Sequence, residues 1–516
     1  MLAQTVQTPE VPWSLLWPFL LTAVGAVVLV TITSLIPQTR ERSFPSFYTA
    51  AMAVGSGVSL YWIWNRVTDS GGRIVVLDGA MSIDYFTLFI AAIISVSVFF
   101  AALFLDDYLR REGLDGPEWY VLILLSASGG LMMAAAEDLI VTFLGLEILS
   151  IAVYVLAALH LRRAESQEAG FKYFVLGALS SAFFLYGIAM IYGATGSTRL
   201  SEIGAALTLT NDRGLTPVED SSLLLAGMAL LLVGFGFKIS AAPFHMWTPD
   251  VYQGSPTPVV GFMASAVKVA GFAGLARVFL SAFVQVGGDW RPVIGAMALL
   301  SIVVGSFLAI RQDNVKRMLA YSSISHAGFI LIGLYAAGSA DGGVALLGSR
   351  SVLFYLFAYA VMVCGSFGVA TLVGQRGDGA HDLADYAGLS ARKPILAALL
   401  VVLLFAQAGI PFTSGFWAKF GVIEAAVRGE YYVLAGAAMV AAVVGAYLYL
   451  KVIVSMFLTS ADTPDEGVAV TPTGSITLAP AATVAIVAAV AATLLWGILP
   501  DLGGDLLRSA ASTFSR

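Results

Sequence analysis

Seven ionisable residues stand inside long apolar stretches of this chain. Glu147 lies in EDLIVTFLGLEILSIAVYVLAAL and Lys172 in ESQEAGFKYFVLGALSS, while Lys238 and His245 share LLLVGFGFKISAAPFHMWTPD. Lys268 lies in GFMASAVKVAGFAGL, His326 in KRMLAYSSISHAGFIL and Lys419 in FAQAGIPFTSGFWAKFGVIEAA. An ionisable group at bilayer depth costs at least about 2.5–3.5 kcal/mol, so such a group is a functional hypothesis by default. The residue types suit proton movement. A desolvated ammonium gives up its proton more readily than one in water, and a neighbouring carboxylate holds the proton on. Histidine and serine between lysines can carry a hydrogen-bonded chain from one to the next.

Position sharpens each reading. Glu147 is too deep in its span to reach water along its own helix. Lys172 opens the next span and, opposite Glu147, reads as its partner in an intramembrane ion pair. Lys238 stands immediately before Ala241–Ala242–Pro243. A proline there removes a backbone donor and frees carbonyls of the preceding turn, which could solvate an ammonium. His245 follows just past that break. Lys268 falls near mid-span with no carboxylate on its own helix face. His326 is flanked by Ser322, Ser323 and Ser325, and Lys419 follows a second break at Pro411–Phe412. A lone buried histidine is more often hydrogen-bonded packing, but five deep ionisable groups at one level, two beside matching breaks, argue against packing for the set. Arg277 and Lys451 lie near span ends and are expected to snorkel. Asp84 and Glu424 fall near ends or turns.

Such residues need a membrane to be buried in. The 516 residues are 59% hydrophobic and only 12% charged, with mean hydropathy +0.87, against about 25% charged residues in a soluble domain. The apolar runs match helices that cross a bilayer rather than the roughly ten-residue strands of a barrel. The expected fold is therefore an all-α polytopic membrane protein of about fourteen spans. A net charge of −6 gives no basic footprint, so nucleic acid is excluded as a partner. The single cysteine, Cys364, excludes a Cys-ligated cluster or an intrachain disulfide and reads as a small hydrophobe in a helix. The first apolar run follows a segment without Lys or Arg, so it is expected to be a retained span rather than a cleaved signal.

The spans also repeat. The seventh, 222–252, and the twelfth, 392–427, are each too long for one crossing and carry Pro243 and Pro411 within them. Five spans separate them, an odd offset that reverses direction, as in inverted repeats whose broken helices mark a transport site. The expected organisation is peripheral helices in 1–115, a five-helix repeat in 116–285, its inverted counterpart in 286–460, and a linker with a last helix in 461–516. Basic residues cluster after odd-numbered spans, at Arg40 and Arg42, Arg110 and Arg111, Arg162 and Arg163, Arg311, Lys316 and Arg317, and Arg376, Arg392 and Lys393. The positive-inside rule then places both termini on the non-cytoplasmic side of a bacterial plasma membrane. The polar stretch 194–221 is expected to cover the outer face, and Ala461 to Thr473 to form an exposed linker.

The motif FKISAAPFHMWTPDVYQGSPTPV resembles the signature of the antiporter-like membrane subunits of respiratory complex I, shared with multisubunit cation/proton antiporters. RQDNVKRMLAYSSISHAGFIL and AGIPFTSGFWAKF are similar to the same family at the corresponding places, and the resemblance covers roughly residues 80–460. The form VYQGSPTPV, a lysine at 419 and the lack of a long lateral helix after the last span narrow it to one type among the sister subunits. The resemblance implies that Glu147 and Lys172 form the pair that modulates Lys238. Lys238 would hand its proton to Lys268, with His245 and His326 bridging by water, and Lys419 would lead onward. It implies partners among the other membrane-arm subunits, further antiporter-like ones included. It places flavin (FMN), iron–sulfur clusters and quinone on other subunits, with no cofactor or metal on this chain. The competing reading is a subunit of a multisubunit sodium/proton antiporter or a hydrogenase-related complex, which would use the same buried groups. A haem or quinone enzyme would need paired histidines at depth, and His160 and His381 fall at a span end and in a loop.

Overall fold

A computed structural model describes residues 11–39, 43–114, 116–208, 221–458 and 479–514. Arg40, Arg42, Arg213 and Arg516, residues 209–220 of the 194–221 stretch and the 461–473 linker lie outside them. The chain is built almost entirely of helices. In order they are α1 (Trp17–Leu35), α2 (Phe44–Asp69), α3 (Tyr85–Glu112), α4 (Glu118–Ala135), α5 (Leu139–Ala158), α6 (Ala164–Thr195) and α7 (Leu200–Thr208). There follow α8 (Ser222–Lys238), α9 (Thr248–Gly254), α10 (Thr257–Phe262), α11 (Lys268–Ser281), α12 (Gly287–Ile310), α13 (Val315–Ala337) and α14 (Gly342–Val373). The last are α15 (Leu383–Tyr386), α16 (Leu389–Arg392), α17 (Pro394–Ala408), α18 (Ser414–Arg428), α19 (Tyr432–Leu458), α20 (Pro480–Ile498) and α21 (Gly504–Ser512). Among the described residues, eleven helices are long and apolar enough to cross a membrane, α10 and α11 counting as one through a π turn at Met263–Val267. Helices α8 and α17 are apolar but shorter.

Polar caps start the spans. Asp84, Asp138 and Asn314 accept from the backbone N–H of Thr87 (2.8 Å), Ile140 (2.7 Å) and Arg317 (3.2 Å), satisfying donors that a helix start leaves free. Small residues then let helices approach. A Cβ at Gly145 would meet the Gly129 carbonyl at 2.8 Å, so α4 and α5 cross almost backbone to backbone.

Both expected breaks are present. Helix α8 stops at Lys238, and the chain runs irregularly, through Ser240 at φ 61° and a cis Ala242–Pro243 bond, before resuming at α9. Helix α17 stops at Ala408, turns through Gly409 at φ 88° and Phe412 at φ 68°, and resumes as α18. Several short elements are not legible in the sequence, α15 and α16 among them. A hairpin of β1 (Arg73–Val76) and β2 (Met81–Asp84), paired Arg73 to Asp84, precedes α3, and two short surface helices, α7 and α21, were not anticipated. Four-residue strands and nine-residue helices carry too little periodicity to register in a hydropathy reading.

Candidate functional site

Helix α13 is the centre of the site. It packs against α12, α14, α18 and α19 and carries Ser322, Ser323, His326 and Phe329 toward the buried side. Ser323, His326 and Phe329 are spaced three residues apart, which puts them on one helix face. Each meets a different part of the ionisable row.

At Ser323 the row meets Lys268, which begins α11 directly after the π turn and is 1% exposed. Such turns accommodate an extra residue and recur at functional sites. The Lys268 ammonium donates to the Ser323 carbonyl at 2.7 Å and to its hydroxyl, which also accepts from the Tyr359 hydroxyl at 2.9 Å. The Tyr359 ring lies 5.6 Å from the same ammonium, within cation–π range. One turn on, His326 shares hydrogen bonds with the Tyr355 hydroxyl through Nδ1 (2.7 Å) and the Tyr449 hydroxyl through Nε2 (3.2 Å). Tyr449 also bonds Ser322 at 2.5 Å. A further turn on, the Phe329 ring stands 5.0 Å from the Lys419 ammonium.

Lys419 enters from α18 and donates to the Ala408 carbonyl at 3.0 Å, an acceptor freed where α17 stops. The negative end of that half-helix faces the ammonium. Gly409 is required here twice over: it adopts φ 88°, and a Cβ would lie 2.9 Å from Lys419 Cδ.

Lys238, 3% exposed, ends α8 and donates to Ser150 Oγ at 2.8 Å, with the Tyr154 and Tyr173 rings 5.6 and 5.7 Å away. Its stem passes Gly271, where a Cβ would meet Lys238 Cγ at 3.3 Å, so Lys238 touches α11 one turn from Lys268. The break beside it is hydrogen-bonded: Trp247 Nε1 donates to the Phe237 carbonyl at 3.0 Å, and Ser301 Oγ accepts from the Ala242 N–H at 2.8 Å. Trp247 is stacked on Tyr173 at 4.3 Å, which ties the irregular segment to α6.

Glu147 is on the same face of α5 as Ser150, one turn away, and accepts from the Ser181 hydroxyl of α6. The expected Glu147–Lys172 pair is not formed. Lys172 instead meets Glu168 (2.7 Å) and Asp250 (3.0 Å), and Arg317 holds the other Asp250 oxygen at 2.6 Å. The reason is directional. Side chains lean toward their helix N-terminus, and α5 and α6 are antiparallel neighbours, so Glu147 leans toward one membrane face and Lys172 toward the other. His245 is half-buried with its Nδ1 unpartnered, and no hydrogen bond joins it to Lys238 or Lys268 among the described residues.

Two buried ion clusters were missed. Arg277 does not snorkel: it is 2% exposed, bonds Asp84 twice, at 2.5 and 2.9 Å, and donates to the Ala134 carbonyl. Glu137 joins this cluster to Arg73 at 2.9 Å. Asp84 resembles a turn residue in the sequence because its partner is on α11, far along the chain. At the opposite face Lys316, one of the clustered basic residues of the sequence, is fully buried against the Ser255 carbonyl (2.7 Å) and Asp378 (3.4 Å). Asp378 also binds Arg163 (3.0 Å), His381 (2.8 Å) and Thr257. Burial pushes its carboxyl up, but Lys316, His381 and Arg163 outweigh that and hold it well below the usual range. Lys451 does reach a helix end, at Asp313 (2.9 Å), and Glu424 pairs with exposed Arg428 (2.7 Å). Cys364 is buried and donates to Ser265.

The sequence singles out Ser323 beside His326, but not the hydroxyls Ser150, Ser181, Tyr355, Tyr359 and Tyr449. Their signal was a polar atom within an apolar run, which is weaker than a charge because a helix carbonyl can satisfy a hydroxyl locally.

Comparison with known proteins supports the same grouping. The family model described as NADH:quinone oxidoreductase/Mrp antiporter, TM, matches residues 136–445. A relative named NADH-quinone oxidoreductase subunit N, from Trichlorobacter lovleyi, is 39% identical over 500 residues, 97% of this chain and 96% of its own. A chain of respiratory complex I from Thermus thermophilus, solved with bound aureothin, superposes with a TM-score of 0.76 at 32% identity, covering 95% of this chain and all of that one. A chain of the Mrp complex from Dietzia sp. DQ12-45-1b reaches a TM-score of 0.82 at 20% identity, covering 98% of each, and shares the fold. The chain belongs to the NADH-quinone oxidoreductase subunit N family, the antiporter-like membrane subunits of respiratory complex I.

Proposed function

We propose that this chain translocates protons along Lys238, Lys268, His326 and Lys419 in the membrane arm of an NADH:quinone oxidoreductase, a translocase whose electron carriers sit on other subunits. The observation that carries the reading is the continuity of α13, on which Ser323 holds Lys268 and His326 stands between it and the Phe329 that faces Lys419. Lysine and histidine can each release and regain a proton, and the intervening hydroxyls both donate and accept. Glu147 sets the charge state of Lys238 through the Ser150 turn, while Lys172 binds Asp250 together with Arg317. His245, on the irregular segment, keeps its expected bridging role only through water. The two broken helices fit an inverted pair of five-helix repeats, 116–285 and 286–460, with the row between them.

The arrangement needs flavin, iron–sulfur clusters and quinone on partner subunits, and a single cysteine fits that division. The positive-inside rule places the Arg162–Arg163 face in the cytoplasm and both termini outside, in a bacterial plasma membrane. The test is the proton-to-electron ratio of the assembled oxidoreductase in sealed vesicles. Lys268→Met is expected to lower that ratio with NADH oxidation still measurable; an unchanged ratio removes Lys268 from the path.

A further inference from the structure

Away from the lysine row, α3, α14, the end of α20 and α21 enclose an apolar groove of about 200 Å³. Phe89, Ala92, Val96, Phe357, Val361 and Leu506 line its walls. A second cleft of about 230 Å³ shares Phe354, Pro500 and Leu507 with the first and is lined by Arg350, Ser351, Glu424 and Asp501. One end of the composite is therefore apolar and the other charged.

Depth and charge narrow the occupant. Trp417 and Trp496 flank the two clefts, with their indole N–H groups on the carbonyls of Gly497 and Leu502, both at 2.9 Å. Tryptophan with one end apolar and the other wet marks the membrane–water boundary. The charged cleft is thus at headgroup depth and the apolar groove runs into the hydrocarbon. Among the described residues, Arg350 makes one long ion pair, 3.5 Å, to an exposed Asp501, and Glu424 pairs with exposed Arg428. A purely anionic headgroup would meet Arg350 but also two carboxylates. A zwitterionic one supplies a phosphate for the guanidinium and a cation for the carboxylates, and only an ammonium with N–H groups can hydrogen-bond them.

We propose that this composite groove binds one aminophospholipid of the phosphatidylethanolamine class. Its phosphate rests on Arg350, its ammonium lies between Asp501 and Glu424, and one acyl chain fills the groove under α21. The site is independent of the proton path, and its occupant packs the α20–α21 end of the chain against α3 and α14.

The test uses the intact membrane complex, washed in detergent and returned to nanodiscs of mixed phosphatidylethanolamine, phosphatidylcholine and phosphatidylglycerol. Retained lipid is counted by native mass spectrometry and extraction. Wild type is expected to keep one more phosphatidylethanolamine per complex than Arg350→Ala or Ala92→Trp, which act at opposite ends of the groove, and Arg350→Lys should restore part of the retention. A cryo-EM map of the wild type should hold forked, lipid-shaped density with its head at Arg350, whether or not the variants assemble. Equal retention in wild type and both variants, preference for phosphatidylglycerol, or a groove filled by a protein helix, a quinone or nothing would overturn the proposal.

Discussion

The Lys268 ammonium donates to the main-chain carbonyl of Ser323 at 2.7 Å, although α13 is continuous there. That carbonyl is already an intrahelical acceptor, so the lysine draws on its second lone pair. The hydroxyl of the same serine bonds both Lys268 and Tyr359. Ser323→Ala therefore removes one of two acceptors and leaves the other. Losing one hydrogen bond to a charged group costs about 1.5–3 kcal/mol. Proton pumping by Ser323→Ala vesicles should fall several-fold but persist; full wild-type pumping would remove the serine from the path.

His326 bridges two tyrosines on separate helices, so its replacement should interrupt Lys268 from Lys419 while leaving both lysines in place. His326→Phe keeps the aromatic volume and loses both hydrogen bonds. Pumping is expected to drop at least as far as in Ser323→Ala, with assembly unchanged on native gels.

Lys238→Arg keeps a positive charge but cannot release a proton in the accessible range. It should block pumping, as measured by dye quenching in vesicles. Glu147→Ala should also reduce pumping several-fold, whereas Lys172→Met should have the smaller effect. Lys172 is 41% exposed on its side chain and pairs at the surface, where such pairs contribute about 0–1 kcal/mol. Equal losses from Glu147→Ala and Lys172→Met would restore the direct pair that the geometry separates.

Asp378 gives a pH prediction with a definite sign. Its carboxyl is held well below the ordinary value of about 3.9, so its stabilising contribution is fully present above that value and is lost as pH falls below it toward the folded value. Asp378→Asn leaves Lys316 buried without its counter-charge, and breaking one side of a buried pair costs about 3–5 kcal/mol. The Tm of Asp378→Asn in detergent should lie below wild type from pH 7 to 5. The margin should narrow on acidification below about pH 4. A margin that ignores pH would mean the hydrogen bonds to Thr257, not the charge, hold the loop.

Most of the architecture was written in periodicity. Long apolar runs announced the spans, and Pro243 and Pro411 announced breaks that the structure places after Lys238 and Ala408, several residues before each proline. The lysines were legible because charge in an apolar run is costly and so conspicuous. Their partners were not. Ser150 and Tyr449 become meaningful, and Ser323 becomes the acceptor of Lys268, only once α5, α8, α11, α13 and α19 are brought together, and sequence spacing along one helix says nothing about the next. The same limit hid Arg277 with Asp84 and Lys316 with Asp378, since each pair joins segments distant in the chain. The Glu147–Lys172 expectation fails for a subtler reason: the two helices are adjacent, but their side chains lean in opposite directions.

Helix α17 ends on the carbonyl that receives Lys419, which makes the length of that half-helix a setting for the ammonium. Each added residue advances the terminus by about 1.5 Å and turns it by about 100°. A one-residue insertion in α17 would swing the acceptor carbonyl off the lysine and leave every ionisable side chain in the row unaltered. The terminal carbonyl works here as a fixed electrode, and the register of an apolar helix becomes an electrical parameter of the protein.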